Sequence, residues 1–218
     1  MTYDKMTKPV AEHGVISNQS LPLQRENYQT AAEVLARALQ DDPGMIGVLK
    51  GFSEEERIKA LTVSFGANLQ KCMPSGAPLG VNNEEEMAGA AVIHRPGMYP
   101  PPVLTQLSLF WTGFTAVWSL GVMWRWIKIL TALEKNHPKE PHYYLELLGV
   151  DPPWQGLGFG SRLMQQLTSW ADADGVGCYL ETSKPRNVPF YQRHGFQITK
   201  EIDVIGVHLW MMWRPPGK

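Results

Sequence analysis

The stretch that decides the fold runs from Tyr143 to Gly160 and reads YYLELLGVDPPWQGLGFG. Its first eight residues are almost all aliphatic or aromatic, a composition typical of a buried strand. Its glycines are followed by Leu163, Leu167 and Trp170 at helical spacing, which predict a helix over Gly156–Ala173. The sequence therefore predicts a strand, a glycine-rich turn and a helix in succession.

A turn of this kind is suited to bind an anion. Free backbone N–H groups at a helix N-terminus, together with the helix dipole, bind phosphate oxygens, and glycine lets the backbone approach them closely. The turn differs from a dinucleotide-binding loop because its third glycine, Gly160, comes one residue early, and it lacks the Gly-Lys-Ser/Thr of a P-loop. The six residues from Gln155 to Gly160, taken alone, are equally consistent with an anion site and with an ordinary glycine-rich loop.

The rest of the chain predicts further helices and strands around this unit. Helices are predicted over Asn27–Gln40 and, from a capping box at Ser53, to Lys71, and the turn residues Asp41 to Gly44 are expected to end the first. Strands are expected at Leu79–Val81, Met87–His94, Gly177–Thr182, Phe196–Ile205 and Val207–Trp213, and a short helix at Val188–His194. The predicted fold class is α/β (α+β), a mixed central sheet flanked by helices. We expect a single domain over residues 1–218, with disorder of residues 1–20 left open.

The segment from Leu104 to Trp124 contains no charged residue and is as long as a membrane span. Its large apolar residues nevertheless follow one another in steps of three and four, which describes one face of a helix rather than a surface exposed to lipid on all sides. The stripe comprises Leu104, Leu107, Trp111, Phe114, Trp118, Val122, Trp126, Ile129 and Leu133. We therefore expect a long tryptophan-rich helical segment before the central strand, packed on the sheet.

Composition and charge argue against several classes of function. The chain has a net charge of −1 and no run of lysine or arginine, so we expect no nucleic-acid partner. Its two cysteines and six histidines show no spacing typical of a zinc site, and we expect no metal. The first residues lack the basic start and apolar run of a signal peptide. We therefore expect a cytoplasmic protein without a membrane partner, either a monomer or a homodimer.

Together with its flanks, the glycine-rich turn resembles the coenzyme A pyrophosphate loop of the GNAT superfamily of N-acetyltransferases. The pattern Q-G-x-G-x-G follows a strand that ends in Gly149-Val150-Asp151-Pro152. Downstream, Asn187-Val188-Pro189-Phe190-Tyr191-Gln192-Arg193-His194-Gly195-Phe196 is similar to the superfamily's later helix. Residues 138–214, which include Leu180-Glu181-Thr182-Ser183 and Pro185-Arg186-Asn187, particularly resemble the group of puromycin N-acetyltransferase and its relatives.

This resemblance implies acetyl-coenzyme A as co-substrate and direct transfer of its acetyl group to an amine. The reaction needs an aligned thioester, a base for the ammonium and an acid for the leaving thiolate. By its place in the motif Tyr191 is the expected acid, since a phenol with a pKa near 10 is protonated at neutral pH. The alternative is a tyrosine that only packs the short helix onto the sheet.

Glu146 is the expected base. Alternation along the strand puts four residues on one face, namely Tyr144, Glu146, Leu148 and Val150. A glutamate inside an apolar strand is costly to bury without compensation, so we expect it to face a cleft or a partner. A salt bridge from Glu146 to an arginine such as Arg125 is the alternative.

The resemblance also implies contacts with coenzyme A. Backbone groups of Leu148 and Val150 are expected to pair with the pantetheine arm, as an added strand pairs with a sheet edge. Asn187 either hydrogen-bonds the coenzyme or caps the short helix. The pyrophosphate is expected on Gln155, Gly156, Leu157, Gly158, Phe159, Gly160 and Ser161. Because Leu157 stands where the superfamily often has a basic residue, backbone N–H groups must carry most of this binding.

The acceptor pocket is expected to contain Tyr144, Trp111 and Trp118, although an aromatic stripe at helical spacing equally describes a helix core. The histidines His94, His137 and His142 have no partner at a catalytic spacing, and we expect them to be structural or exposed. The expected function is an acetyl-coenzyme A-dependent N-acetyltransferase for a primary amine of a small molecule. Acetylation of a protein N-terminus or lysine is one alternative, and a non-catalytic acyl-coenzyme A sensor is another.

Overall fold

The computed structural model describes residues 20–72, 76–84, 86–117 and 119–217, without the side chains of residue 72 and residues 113–117. Residues 1–19, most of the segment for which disorder was left open, and Trp118, which was expected in the acceptor pocket, lie outside the described residues. The strands are β1 (Leu21–Pro22), β2 (Leu79–Asn83), β3 (Glu86–His94), β4 (His142–Val150), β5 (Gly177–Thr182), β6 (Gln197–Val204) and β7 (Val207–Arg214). They form one seven-stranded sheet in the order β1-β2-β3-β4-β5-β7-β6.

The α-helices cover both faces of this sheet, and the predicted mixed α/β fold is confirmed. They are α1 (Tyr28–Leu39), α2 (Pro43–Val48), α3 (Glu54–Cys72), α4 (Val103–Val117), α5 (Leu120–Asn136), α6 (Phe159–Ala173) and α7 (Val188–Gln192). On one face α1, α3 and α5 pack against the sheet, and on the other α6 and α7 do so. Neighbouring residues of β3 show the two layers, since Val92 belongs to the first core and Ile93 to the second.

Local signals in the sequence explain several helix starts. The predicted capping box at α3 is formed, because the Ser53 N–H donates to Glu56 over 2.7 Å and the Glu56 N–H donates to the Ser53 hydroxyl over 3.3 Å. The residues Asp41 to Gly44 do follow the end of α1, but they also begin α2. Asp42 caps that helix by accepting from the Gly44 N–H over 2.8 Å.

The tryptophan-rich segment forms two helices rather than the one that its periodicity predicts. Helix α5 begins after Ser119, whose hydroxyl accepts from the Val122 N–H over 3.3 Å. The second half of the stripe packs inward, with Val122 and Ile129 buried in the first core. The first half does not, since Leu104 on α4 is 81% exposed. Within the described residues, each helix is too short or too polar to cross a membrane.

Strand β4 carries one extra residue in its pairing with β3. Ile93 faces Leu145 and Val92 faces Leu147, so Glu146 is the additional residue of a β-bulge. A bulge shifts the alternation of side chains by one position. The prediction that Tyr144, Glu146, Leu148 and Val150 share one face is therefore wrong. Leu148 and Val150 pack with Tyr143 and Leu145 on the α6 side, whereas Tyr144 and Glu146 face the other layer.

Candidate active site

The glycine-rich turn leaves the start of α6 open to a ligand. Gly156 and Gly158 have φ values of +80° and +87°, a region that favours glycine, and the space beside both is empty. The helix begins at Phe159 rather than at Gly156, and no side chain caps its first N–H groups. Leu157 is 59% exposed between the two glycines. The turn therefore offers backbone donors and no cationic side chain of its own, an arrangement that fits a phosphate group.

Other residues of the expected coenzyme loop hold its shape. The Gln155 amide donates to the Val150 carbonyl over 2.9 Å and so closes the turn onto the end of β4. Phe159 is buried in the α6 core, and a Cβ on Gly160 would come within 3.4 Å of the Phe190 ring. Ser161 is half-buried in the first turn of α6.

Strands β4 and β5 separate beside this turn. They pair in parallel from His142 with Gly177 to Leu145 with Leu180, and the pairing ends there among the described residues. Leu148 and Val150 pair with β3 on their other side, so the edge of β4 that faces β5 has no strand partner beyond Leu145. This separation, called the cleft below, exposes backbone groups to which an extended ligand can add as a strand does.

Glu146 lies where the two strands begin to separate, and it has two side-chain partners. One carboxylate oxygen accepts from the Asn68 amide over 2.7 Å, and the other lies 2.7 Å from His94 Nε2. The salt bridge to Arg125 that was considered as the alternative is not formed, since Arg125 donates to the Val48 carbonyl instead. The side chain of Glu146 is 24% exposed, so it is not fully buried by these two partners.

A second carboxyl group, Glu181 on β5, adjoins Glu146. Burial raises the pKa of Glu181 to about 7, with the charge of Glu146 adding to the rise and the nearby hydroxyls of Tyr144 and Tyr179 opposing it. Burial, together with the Glu181 charge, also raises the pKa of both tyrosines. At neutral pH the Glu181 carboxyl is therefore partly protonated, a property typical of functional carboxyls.

Aromatic rings surround these carboxyls. Tyr144 stacks on His94 with ring centroids 5.7 Å apart and meets the Tyr99 ring edge-on at 4.6 Å. His137 contacts both tyrosines and also lies 3.1 Å from His142 between their Nε2 atoms. Burial and the neighbouring histidines lower the pKa of His137 to about 4, so this ring is neutral at pH 7. A groove of about 260 Å³, lined partly by Tyr99 and His142, opens next to the cluster.

Tyr191, the expected acid, is 6% exposed on α7 and packs against Phe190 and Phe196. Burial, and then the negative charge of nearby Asp42, raise the pKa of its phenol above the ordinary value. Asp42 also accepts from the Ser183 hydroxyl over 2.5 Å, which ties the start of α2 to the residue that follows β5. The phenol is therefore protonated at neutral pH and held near the end of β5.

The remaining residues that were expected to bind coenzyme A or the acceptor lie in different parts of the structure. Asn187 makes no side-chain cap of α7, and its amide lies 3.5 Å from the Thr182 hydroxyl. Tyr144 is buried beside the carboxyls, whereas Trp111 is 65% exposed on α4. No group of three or more histidine, cysteine, aspartate or glutamate side chains suited to a metal is found in the described part of the chain.

The sequence did not predict that three polar residues, Asn68, His94 and Glu181, lie at this site. Asn68 and His94 lie 78 and 52 positions from Glu146, so no local spacing connects them to it. His94, which was expected to be structural or exposed, is buried and contacts Glu146. A charged residue inside a buried strand was the only available signal for Glu181, and it is the same signal that singled out Glu146.

The chain matches the model of the acetyltransferase (GNAT) family over residues 70–196, more than half of its length, and it therefore belongs to this family. It is 24% identical over 193 residues to an uncharacterized N-acetyltransferase of Schizosaccharomyces pombe, a match that covers 83% of this chain and 74% of that protein. It is also 23% identical over 202 residues, 86% of its length, to a probable serine/threonine-protein kinase of Dictyostelium discoideum. The chain spans 21% of the length of that kinase.

Solved structures show the same fold. One is the histone acetyltransferase HPA2 and related acetyltransferase from Corynebacterium glutamicum, with a TM-score of 0.67 and 23% identity over 92% of this chain and 97% of that chain. Another is the Drosophila melanogaster polyamine N-acetyltransferase, which catalyses formation of N-acetylagmatine. Its TM-score is 0.60 and its identity 15%, over 90% of this chain and 98% of that chain.

Proposed function

We propose that this chain transfers the acetyl group of acetyl-coenzyme A directly to a primary amine of a small molecule. The observation that carries the proposal is the placement of Glu146, a partly exposed carboxylate, at the point where β4 and β5 separate beside an uncapped, glycine-rich helix start. Membership of the acetyltransferase family supports the reaction class.

The residues that would hold coenzyme A fit its chemistry. Backbone N–H groups of the turn from Gly156 to Ser161 would bind the pyrophosphate, and the free edge of β4 near Leu148 and Val150 would receive the pantetheine arm. The bound thioester supplies an acetyl group activated for attack by nitrogen. Because Leu157 brings no positive charge, the binding depends on the backbone conformation of the two glycines.

Glu146 is proposed as the base and Tyr191 as the acid. The amine enters as an ammonium ion, and Glu146 accepts one of its protons so that nitrogen can form a bond with the acetyl carbon. As the carbon–sulfur bond breaks, its electron pair goes to sulfur, which takes a proton from the Tyr191 hydroxyl. The tyrosine regains a proton from the nitrogen by way of solvent, so the reaction releases one proton in total.

Asn68 and His94 are positioning residues in this scheme. Each makes a 2.7 Å contact with one carboxylate oxygen of Glu146, so the carboxylate is fixed from two sides. Fixed partners of this kind hold a base in the geometry that proton transfer requires.

The second part of the proposal is that the acceptor is a small molecule. The polyamine N-acetyltransferase shares the fold, and buried carboxyls beside aromatic rings suit a small cationic amine. The resemblance of residues 138–214 to the puromycin N-acetyltransferase group remains a prediction, and it adds aminonucleosides to the candidates.

A screen of thiol release tests the function. Acetyl-coenzyme A would be offered with polyamines, arylalkylamines, aminonucleosides, aminoglycosides and a basic peptide with a free N-terminus. Release with a small amine supports the proposal. If only the peptide causes thiol release, the acceptor is a protein N-terminus or lysine rather than a small molecule. If coenzyme binds but no amine causes release, the chain is a sensor rather than an enzyme.

The proposed base has its own test. Glu146→Gln should lower kcat by about a hundredfold and remove the rise of the rate with pH, because general-base catalysis is typically worth two to four orders of magnitude. The measurement is the pH dependence of kcat for the best acceptor. Identical profiles for the variant and the wild type would remove Glu146 as the base.

A further inference from the structure

The cleft side of β5 contains buried polar atoms that have no hydrogen-bond partner among the described residues. Two of them are the hydroxyl of Tyr179 and Oε1 of Glu181, which interact with each other but do not reach hydrogen-bonding geometry. Tyr179 is 1% exposed, so solvent outside the protein does not satisfy it. Unpaired buried groups of this kind cost about 1–3 kcal/mol each and are rare in folded proteins. They indicate a ligand or solvent that supplies the missing partners.

The missing partners are hydrogen-bond donors. Glu181 Oε1 is an acceptor when the carboxyl is ionised, and Asn68 Oδ1, which lies beside Glu146, is an acceptor without a donor as well. The buried Nδ1 of His94 also has no partner, and it is a third such acceptor in the tautomer that donates from Nε2 to Glu146. The side chains around Glu146 thus require donors.

The charges around the two carboxyls also indicate a ligand with a positive charge. The groups that face Glu181 are Glu146 and Tyr144 on β4 and Tyr179 on β5, and beyond them lie Tyr99, His94 and His137. Among the described residues, the charge that most affects the pKa of Glu181 is that of Glu146, not that of a lysine or arginine. Buried carboxylates are normally paired, and Glu146 has His94 Nε2 at 2.7 Å, whereas Glu181 forms no ion pair among the described residues.

We propose that Glu181 and Tyr179 form the subsite that binds the ammonium group of the acceptor, opposite Glu146. This proposal rests on the proposed function and specifies its acceptor as a primary amine that enters as a cation. An alkylammonium ion supplies three donors and one positive charge, which matches the acceptors and the charge of the site. The rings of Tyr99, Tyr144 and His137 form an aromatic wall that favours a cation over a neutral molecule of the same shape.

The subsite has a role distinct from that of the base. Glu146 takes the proton, whereas Glu181 holds the ammonium ion before transfer. Loss of Glu181 should therefore affect binding of the amine more than the chemical step. Because burial raises the pKa of Glu181 to about 7, amine binding should strengthen as the carboxyl ionises between about pH 6 and pH 8.

The test is Glu181→Gln, assayed with agmatine and with 2-phenylethylamine at saturating acetyl-coenzyme A. We expect KM for the amine to rise about tenfold, kcat to change by less than about threefold and KM for acetyl-coenzyme A to stay constant. The decrease of the amine KM with rising pH should disappear. Tyr179→Phe should raise the amine KM by about threefold, and the exposed Glu134→Gln should match the wild type.

A second measurement separates this proposal from the proposed function. Binding of each amine, and of the alcohol of the same size, is measured by calorimetry in the presence of coenzyme A. Amine binding that weakens in Glu181→Gln while the alcohol binds poorly to both proteins supports the subsite, even if no thiol is released and the transferase assignment fails. Unchanged amine KM and binding in Glu181→Gln would overturn the subsite and leave the transferase intact, and an amine that binds no better than its alcohol would also overturn it.

Discussion

In the proposed mechanism, departure of the thiolate depends on one group, the hydroxyl of Tyr191. Burial raises the pKa of its phenol, so it carries its proton throughout the neutral range and can give it to the departing sulfur. We expect Tyr191→Phe to lower kcat by about a hundredfold or more while the affinity for acetyl-coenzyme A changes little. The variant keeps the ring that packs against Phe190 and Phe196, so the fold should be preserved. A rate equal to that of the wild type would show that another group protonates the thiolate.

Glu181 links the site to the pH dependence of stability. Its pKa is about 7 in the folded protein, above the ordinary value of about 4.3 expected in the unfolded chain. The folded state therefore binds this proton more tightly, and the stabilisation is lost as the pH rises from about 4 to 7. Glu181→Gln, which cannot ionise, should exceed the wild type in free energy of unfolding at pH 8 by about 2 kcal/mol, with a smaller difference near pH 5.

Urea unfolding at the two pH values measures this difference, and Glu134→Gln is the control. An equal difference at both pH values would mean that Glu181 is ionised throughout. The experiment also shows whether a change in amine binding in Glu181→Gln occurs in a stably folded protein.

At the scale of elements, strand β4 packs closely against α1 because Gly149 has no side chain. A Cβ there would lie 2.8 Å from the Ala38 Cβ and 3.1 Å from a methyl group of Leu35, and both neighbours are buried helix residues. Gly149→Ala should therefore destabilise the protein by about 1–3 kcal/mol, because α1 has to move away from the sheet. Gly121→Ala on the exposed start of α5 is the matched control and should be neutral or slightly stabilising. Equal unfolding midpoints for the two variants would contradict the close approach of α1 and β4.

The elements also show how far the sequence determines the structure. Apolar periodicity and turn residues predict most helices and strands, because these signals are local and the capping box at Ser53 is formed as predicted. The side-chain faces of β4 were predicted wrongly, since the bulge at Glu146 arises from pairing with β3, which the sequence of β4 alone does not encode. The contacts of Asn68 and His94 with Glu146 were not predicted for the same reason, because only the packing of α3 and β3 brings these residues to Glu146.

On the scale of the whole molecule, the cleft divides the sheet into two parts. Strands β1 to β4 form one part and β5 to β7 the other, and four residue pairs of β4 and β5 join them. The hydrogen bond from Ser183 to Asp42 is a further connection between the parts. A ligand that occupies the separation between β4 and β5 contacts both parts, and its binding should therefore stabilise the molecule as a whole.

Acetyl-coenzyme A at a hundred times its dissociation constant should add about 2.7 kcal/mol to the free energy of unfolding and raise Tm by several degrees. Hydrogen exchange should slow on both sides of the cleft, at residues 146–161 and at residues 181–191. Gly158→Val is the control, because a β-branched residue is strained at the φ of +87° although the space beside it is empty. This variant should lose the protection while its unliganded exchange elsewhere stays unchanged. Protection confined to one part of the sheet would place the coenzyme outside the cleft and contradict the proposed site.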